Sequence, residues 1–214
     1  MRNENPEMRT GILFVVSAPS GAGKTTLCSE VSRLIHNLKY AISYTTRTPR
    51  PGEVNRKDYT FVTLKEFKDM IEKGEFAEWA EVHGHLYGTP IKELENLRKE
   101  YDVILDIDIQ GANQIRRSYR EGVYIFILPP SMEILEDRLK KRMANSEIEI
   151  KDRLMKAREE ISEYKEYEYI IVNSDFAGAL SELKSIILSE RCRRERIDSE
   201  FVERLTANPE RRNN

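Results

Sequence analysis

The segment from Gly11 to Leu27, GILFVVSAPSGAGKTTL, constrains the fold more than any other part of the chain. Its first part, Ile12–Val16, is an unbroken apolar run, which is typical of a strand buried on both faces of a parallel sheet. Small and turn-forming residues follow, and helical spacing of apolar residues begins after Lys24. A loop at a helix N-terminus collects backbone N–H groups and the positive end of the helix dipole. The sequence therefore predicts a phosphate-binding loop between a strand and a helix.

This loop matches the nucleotide-binding pattern G-x-x-x-x-G-K-[ST] except at its first position, where Ala18 replaces glycine. Glycines inside the loop let the backbone wrap closely around a phosphate. Lys24 can reach the β- and γ-phosphates, and the Thr25 hydroxyl can ligate Mg²⁺. We therefore expect nucleotide phosphates and Mg²⁺ to bind at the loop residues Ala18, Pro19, Ser20, Gly21, Ala22, Gly23, Lys24, Thr25 and Thr26.

Strand-like and helical segments alternate along most of the chain, which predicts an α/β fold with a parallel sheet. The predicted strands are Ile12–Val16, Ala41–Thr45, Val103–Ile107, Val123–Leu128 and Tyr169–Val172. The predicted helices are Lys24–His36, Leu64–Lys73, Ile91–Lys99, Gln110–Ser118, Met132–Arg142, Ile150–Tyr167 and Ala177–Leu205. The alternation is interrupted at about 46–90, which holds only the short candidates Asp58–Val62 and Phe76–Val82. We interpret this region as a lobe inserted into a single domain. One domain is the number expected for a chain of 214 residues.

Charge and composition narrow the classes of partner. With 35 basic and 37 acidic residues, the near-balanced charge calls for neither a nucleic acid nor a membrane partner. No apolar run approaches the roughly 20 residues that span a bilayer, and residues 1–10 lack the apolar stretch of a signal peptide. We expect a cytoplasmic protein with terminal tails at 1–10 and 208–214. The two cysteines are expected to be reduced, and the three histidines form no convincing metal set.

A second anion site is predicted in the stretch SYTTRTPRPGEVNRKDY, which runs from Ser43 to Tyr59. Arg47 and Arg50 lie three residues apart on a segment that prolines stiffen. Two guanidinium groups held in this way suit a phosphate dianion. The alternative is a polar loop with solvated arginines.

Two acidic residues, Asp106 and Asp108, follow an apolar strand. Ligands of parallel α/β sheets bind beyond the carboxyl ends of the strands. A carboxylate there can hold Mg²⁺ or a water of its hydration shell. The alternative is a pair of solvated acids at a strand end.

Together, these motifs resemble the guanylate kinase family, in its bacterial form, over nearly the whole chain. The matching stretches are SAPSGAGKTTL, SYTTRTPRPGE, DYTFV, EFAEWAEVHGHLYGTP, ILDIDIQGA and YIIVN. The resemblance implies that ATP and GMP are converted to ADP and GDP with Mg²⁺, and that dGMP is a further acceptor. It also implies a P-loop kinase core, a GMP-binding lobe at about 46–90 and a helical lid at about 138–153, within a domain of residues 11–207.

The resemblance also implies a GMP site. Its residues would be Ser43, Arg47, Arg50, Tyr59, Glu78, Tyr87, Thr89 and Asp108. The two arginines and two tyrosines would hold the 5′-phosphate. Glu78 would read guanine, because a carboxylate only accepts hydrogen bonds and guanine offers its N1–H and 2-amino group as adjacent donors.

For phosphoryl transfer, the resemblance implies catalytic roles for Lys24, Arg47, Arg138, Arg142 and Arg153. Thr25 would ligate the metal, Asp106 would contact it through water, and Asn173 would contact adenine. Many relatives carry a glycine near the lid hinge, where this chain has Met143 and Ala144.

Three alternative functions agree less well with the sequence. A non-catalytic interaction module is disfavoured because Gly23-Lys24-Thr25 is intact. A kinase for another nucleoside monophosphate is disfavoured by Glu78, and a GTPase by the second anion site. The C-terminal segment is predicted to be one long amphipathic helix, with a protein or nucleic-acid contact as the alternative. The sequence leaves open whether the protein is a monomer or a homo-oligomer.

Overall fold

A computed structural model describes residues 10–82, 84–142 and 147–206 of the chain. Apart from Thr10, the predicted tails at 1–10 and 208–214 lie outside the described residues. The same holds for Met143 and Ala144 of the predicted lid hinge, and for the side chain of Arg142.

The secondary structure alternates between strands and helices. In chain order the strands are β1 (Leu13–Ser17), β2 (Leu38–Tyr40), β3 (Tyr44–Thr45), β4 (Thr60–Phe61), β5 (Phe76–Val82), β6 (His85–Pro90), β7 (Asp102–Asp106), β8 (Val123–Leu128) and β9 (Tyr169–Val172). The helices are α1 (Lys24–Leu34), α2 (Leu64–Glu72), α3 (Ile91–Arg98), α4 (Ile109–Ser118), α5 (Met132–Arg142), α6 (Glu147–Ser162), α7 (Phe176–Arg191) and α8 (Ser199–Thr206). Two short 3₁₀ helices lie at Glu163–Glu166 and Arg194–Arg196.

The main sheet is parallel throughout, in the order β2-β7-β1-β8-β9. All five residues of β1 are buried, as expected for its apolar run at the centre of the sheet. Side chains of α1 and α7 pack on one face, and side chains of α3 and α4 pack on the other. The predicted α/β fold with a parallel sheet is confirmed.

A second sheet, in the order β4-β3-β6-β5, lies within residues 44–90. Its strands β5 and β6 form an antiparallel hairpin in which Glu78 pairs with Thr89. The ring of Phe67 on α2 stacks on Phe76 of β5, with 4.4 Å between the ring centroids. Two of its strands, β3 and β4, have only two residues each, which is too few to show a period-two pattern. Strand β6 was not predicted.

The predicted strand Ala41–Thr45 is wrong as a single element. The chain forms β2 at Leu38–Tyr40, just before the predicted segment, and pairs it with β7 of the main sheet. It then enters β3 of the second sheet. The apolar character of this segment could not reveal the change of sheet, because both short strands pair with residues distant in sequence.

The predicted helix Ala177–Leu205 is also wrong as one helix, since α7 ends at Arg191 and α8 begins at Ser199. Glu190 is only 1% exposed and accepts a 2.5 Å hydrogen bond from the Tyr169 hydroxyl. The Nε of Arg193 lies 3.0 Å from the same carboxylate, and Arg196 also pairs with it. A buried carboxylate needs such partners, and they are reached by turning the chain at the end of α7.

Helices α5 and α6 pack against each other through Leu135, Leu139 and Ala157. The predicted lid at about 138–153 covers the end of α5 and the start of α6. Within the described ranges, no helix has both the length and the apolar character needed to cross a membrane.

One carboxylate ties together the edges of three elements, which leads to a stability prediction. Asp102 accepts hydrogen bonds from the backbone of Ile12, at 2.8 Å, and from Nε of Arg191, at 2.7 Å. We expect Asp102→Ala to lower the free energy of unfolding by about 1.5–3 kcal/mol, because both donors lose their acceptor. Urea denaturation measures this loss. The control is Asp152→Ala, a change at an exposed position of α6; losses of equal size would contradict the proposed tie.

Candidate active site

A cleft of about 850 Å³ lies between the carboxyl edge of the main sheet, the second sheet and α6. It brings most of the predicted site residues together, namely Ala18, Pro19, Ser20, Gly21, Gly23, Lys24, Thr25, Thr26, Ser43, Arg47, Arg50, Tyr59, Glu78, Tyr87, Asp106, Asp108 and Arg153. Among the described residues, four predicted members do not line it: Ala22, Thr89, Arg138 and Asn173.

The phosphate loop has the backbone that its glycines allow. Gly21 and Gly23 have φ values of 93° and 94°, a region that side chains other than glycine rarely adopt. Gly23 is the N-cap of α1 and provides no side-chain cap, so backbone N–H groups at this end remain for a ligand. The Asn173 side chain donates a 2.7 Å hydrogen bond to the Ala22 carbonyl and so supports the loop from behind.

Lys24 is held in the floor of the cleft by the carboxyl end of β7. Its ammonium group pairs with Asp106, whose side chain is 4% exposed, and donates to the Ile107 carbonyl at 2.7 Å. Burial lowers the pKa of Lys24, but the Asp106 carboxylate outweighs burial and the pKa is raised overall. The Tyr40 hydroxyl donates to the other Asp106 oxygen at 3.0 Å. Lys24 is therefore held in its charged form by the protein itself.

Arg47 is held by a carboxylate that sequence reasoning missed. Its two terminal nitrogens lie 2.9 and 2.8 Å from the two carboxylate oxygens of Glu53, and its Nε donates to the Tyr87 hydroxyl at 3.2 Å. Glu53 also accepts the backbone N–H of Arg50, at 2.7 Å. The Arg47 partner lowers the pKa of Glu53. The Tyr59 ring lies 5.4 Å from the guanidinium carbon, so this end of the cleft is basic and carries two phenols.

Glu78 lies in the part of the cleft formed by the second sheet, at the end away from Arg47. It is only 3% exposed. Its Oε1 accepts a 2.6 Å hydrogen bond from Thr89, whose hydroxyl lies 3.3 Å from that of Ser43. Burial raises the pKa of Glu78 to about 7, the Thr89 hydrogen bond opposes this, and the Asp108 carboxylate adds to it. Asp108 itself caps α4. Glu78 is thus a buried acid that ionises near neutral pH.

The predicted lid residues are placed differently from one another. Arg153 of α6 lines the cleft. Arg138 of α5 instead donates to the Asn173 backbone carbonyl at 3.0 Å. Helix α6 adds two cleft residues that were not predicted, Lys156 and Glu160. Burial raises the pKa of Glu160, and the nearby Ser20 backbone opposes this, so α6 lies close to the phosphate loop.

Other residues of the cleft wall were missed as well: Thr48, Pro49, Pro51, Ala80, Val82, His85 and Ile107. Several flank predicted residues in sequence, which is the signal that could have found them. No sequence signal marks Tyr40 or Glu53 in this way. The hydrogen bond of Tyr40 to Asp106 and the ion pair of Glu53 with Arg47 are seen only in the folded structure.

The oxygen atoms that the cleft offers as metal ligands suit a metal ion that binds together with the substrate. Within the described part of the chain, no group of three or more His, Cys, Asp or Glu side chains could hold a metal ion. Thr25 and Asp106 both line the cleft, and they offer one hydroxyl and one carboxylate. Mg²⁺ is commonly held by one or two protein oxygens together with waters and substrate phosphates. The residues present therefore fit Mg²⁺ bound with a nucleotide.

Comparison with known proteins agrees with this geometry. The family model described as "Guanylate kinase" matches residues 10–190. The chain belongs to the guanylate kinase family. It is 54% identical to the guanylate kinase of Geobacter metallireducens over 198 residues, covering 92% of this chain and 98% of that protein. It is 55% identical to that of Geobacter sulfurreducens over 190 residues, covering 88% and 94%.

A solved structure leads to the same family. The crystal structure of guanylate kinase from Anaplasma phagocytophilum superposes with a TM-score of 0.73 at 35% identity, covering 87% of this chain and 89% of that one. Guanylate kinases are enzymes that transfer a phosphoryl group from ATP to GMP, and the resemblance found in the sequence motifs is confirmed.

The raised pKa of Glu78 predicts how stability depends on pH. The folded protein binds this proton more tightly than the unfolded chain, whose ordinary value is 4.5. The stability that this contributes is present below about pH 4.5 and is lost as pH rises through about 7. Glu78→Gln cannot titrate, so its free energy of unfolding relative to the unchanged protein should rise between pH 5 and 8, by on the order of 3 kcal/mol.

Urea denaturation at several pH values checks this expectation. Glu81→Gln, an exposed position on the same strand, serves as the control. A constant difference between Glu78→Gln and the unchanged protein over this range would show that Glu78 is already ionised at pH 5.

Proposed function

We propose that this guanylate kinase binds Mg²⁺·ATP at the phosphate loop and GMP in the second-sheet part of the same cleft, and transfers the γ-phosphoryl group in line to give ADP and GDP. One observation carries the proposal: a single cleft joins the phosphate loop to both the Arg47–Tyr87 cluster and Glu78. Two anion sites in one cleft suit a donor phosphate and an acceptor phosphate that must meet.

GMP is proposed to lie with its base at Glu78 and its 5′-phosphate at Arg47, Arg50, Tyr59 and Tyr87. Guanine presents two adjacent donors to the Glu78 carboxylate, and Ser43 or Thr89 donates to O6. Adenine has an acceptor at N1 and no 2-amino group, so it would leave this buried carboxylate unpaired. The proposed contacts involve base and phosphate, so dGMP is a second acceptor.

The proposed chemistry rests on positioning and charge. The nucleophile is an oxygen of the GMP phosphate, which needs no strong general base. Lys24, held charged by Asp106, neutralises charge that develops on the transferred group. Thr25 would ligate Mg²⁺ and Asp106 would hold it through water, and the metal would supply further neutralisation at the ATP phosphates.

The lobe at about 46–90 and the lid at about 138–153 are proposed to close over the core when both nucleotides are bound. Closure would carry Arg138, Arg142 and Arg153 toward the ATP phosphates and exclude water, which would otherwise hydrolyse ATP. The support is that Glu160 of α6 and Ser20 of the phosphate loop line the same cleft. The cellular role proposed is synthesis and recycling of guanine nucleotides in the cytoplasm.

The direct test is a coupled assay of ADP release with GMP, dGMP, AMP, CMP and UMP as acceptors. We expect turnover with GMP and dGMP. Lys24→Ala should lower kcat/KM for GMP by about 10²–10³-fold, the scale for removing one preorganised electrostatic group. Since Lys24 also pairs with buried Asp106, circular dichroism and the Tm must show that the variant is folded. The exposed Lys184→Ala is the control.

Two results would overturn the proposal. One is equal turnover of all five acceptors, which would remove the guanine assignment. The other is activity of a folded Lys24→Ala variant within a few-fold of the unchanged protein.

The two ends of the GMP site can be separated by substitution. Glu78→Gln keeps the shape but faces a guanine donor with an amide donor, so kcat/KM for GMP should fall by about 10²–10³-fold and the relative preference for AMP should rise. Arg47→Met should instead weaken GMP and AMP alike, because it removes a phosphate contact.

Measuring kcat/KM for GMP and AMP in both variants tests this separation. The matched controls are Glu81→Gln on β5 and Arg33→Met on α1, both exposed. Equal losses for the two nucleotides in Glu78→Gln, or a changed GMP:AMP ratio in Arg47→Met alone, would reverse the assignment of the two ends.

A further inference from the structure

Helices α4 and α7 begin with the same local arrangement, and only α4 begins beside the cleft. The N-caps are Asp108 and Asp175, and each Oδ1 accepts the backbone N–H of a glycine three residues later, Gly111 or Gly178, at 2.8 Å. Glycine is less favourable than alanine within a helix. Each glycine therefore calls for a local explanation.

The surroundings of the two glycines differ in one respect. The three heavy atoms nearest to a Cβ added at Gly178 all belong to its own cap residue, Asp175, the nearest being Oδ2 at 2.8 Å. A Cβ added at Gly111 would lie 2.5 Å from Oε2 of Glu78 and 3.1 Å from its Cδ, while the cap oxygen of Asp108 is 3.3 Å away. The missing side chain at Gly111 thus leaves the space that the Glu78 carboxylate occupies.

Neither the Glu78 side chain nor helix α4 can easily move away from this contact. Glu78 is 3% exposed and its other oxygen is hydrogen-bonded to Thr89 at 2.6 Å. Gln114, one turn beyond Gly111 on α4, accepts the backbone N–H of Trp79 at 3.2 Å and donates to its carbonyl at 2.7 Å. Trp79 follows Glu78 on β5, so α4 is fastened to the strand beside the carboxylate. A methyl group at position 111 would have to be accommodated by rotation of the Glu78 carboxylate.

We propose that Gly111 is a positioning residue that sets the orientation of the Glu78 carboxylate and thereby the preference for guanine. The inference rests on the proposed function, in which both oxygens of this carboxylate face the two donors of guanine. Rotation of the carboxylate leaves one of these donors without an acceptor. The phosphate end of the site, built on Arg47 and Tyr87, is unaffected.

The test compares GMP with IMP, which keeps the N1–H donor and lacks the 2-amino group. Gly111→Ala should lower kcat/KM for GMP by about 10–100-fold, the range for a lost hydrogen bond to a charged group. The loss should lie mainly in KM for GMP, should be smaller for IMP, and should leave KM for ATP unchanged. The matched control, Gly178→Ala, makes the same change at the same helix position away from the cleft and should change kcat/KM by less than about twofold.

A double-mutant cycle separates positioning from general damage. In a Glu78→Ala background the added methyl group has no carboxylate to displace, so Gly111→Ala should change kcat/KM for GMP by less than about threefold. If Gly111→Ala alone does not fold, Gly111→Ala combined with Glu78→Asp should fold, because the shorter side chain leaves room for the methyl group.

Three outcomes would overturn the inference: an equal cost of Gly111→Ala for GMP and IMP, the same cost with and without the Glu78 side chain, or failure of Glu78→Asp to restore an unfolded Gly111→Ala variant. These are distinct from failure of the proposed function. If the proposed function fails, the unchanged protein itself does not prefer GMP. If only this inference fails, the unchanged protein prefers GMP and the Gly111→Ala variant keeps the same preference.

Discussion

The ion pair between Lys24 and Asp106 joins the two elements on which the cleft is built. Lys24 begins α1 directly after the phosphate loop, and Asp106 ends β7, beside Val16 of β1 in the sheet register. Two charges this deeply buried are tolerable only as partners. The hydroxyl of Tyr40, from the edge strand β2, completes the set at 3.0 Å. The parallel order of β2, β7 and β1 therefore places a fixed positive charge under the phosphate loop.

Two other basic side chains in or beside the cleft also have partners within the protein. Arg47 pairs with Glu53, and Arg138, which does not line the cleft, donates to the Asn173 carbonyl. Substrates must exchange these contacts for their own, so binding free energy reflects a difference between two sets of interactions. The arrangement keeps basic side chains oriented before a phosphate arrives, which lowers the cost of organising them during the reaction.

Glu78 differs from these groups. It accepts a hydrogen bond from the Thr89 hydroxyl, and within residues 10–82, 84–142 and 147–206 no basic side chain is bonded to it. Burial accordingly raises its pKa to about 7. Such a carboxyl suits a ligand that supplies neutral donors, as the edge of guanine does. Its place depends on three elements at once: β5 carries it, β6 provides Thr89, and α4 leaves space at Gly111.

The sequence by itself determined the phosphate loop, the parallel α/β fold and the basic stretch around Arg47, because these follow from residues close together in the chain. Backbone conformation at Gly21 and Gly23, and burial of a five-residue apolar strand, are local properties. The role proposed for Glu78 came from family resemblance, since its sequence surroundings alone suggest an exposed acid. Only the tertiary structure decided that Tyr40 bonds to Asp106, 66 residues away, that Gln114 fastens α4 to β5, and that Glu190 ends the last long helix. These contacts depend on burial and charge pairing between distant segments. Their free energies depend on which groups are removed from water together, and a local sequence pattern does not contain that information.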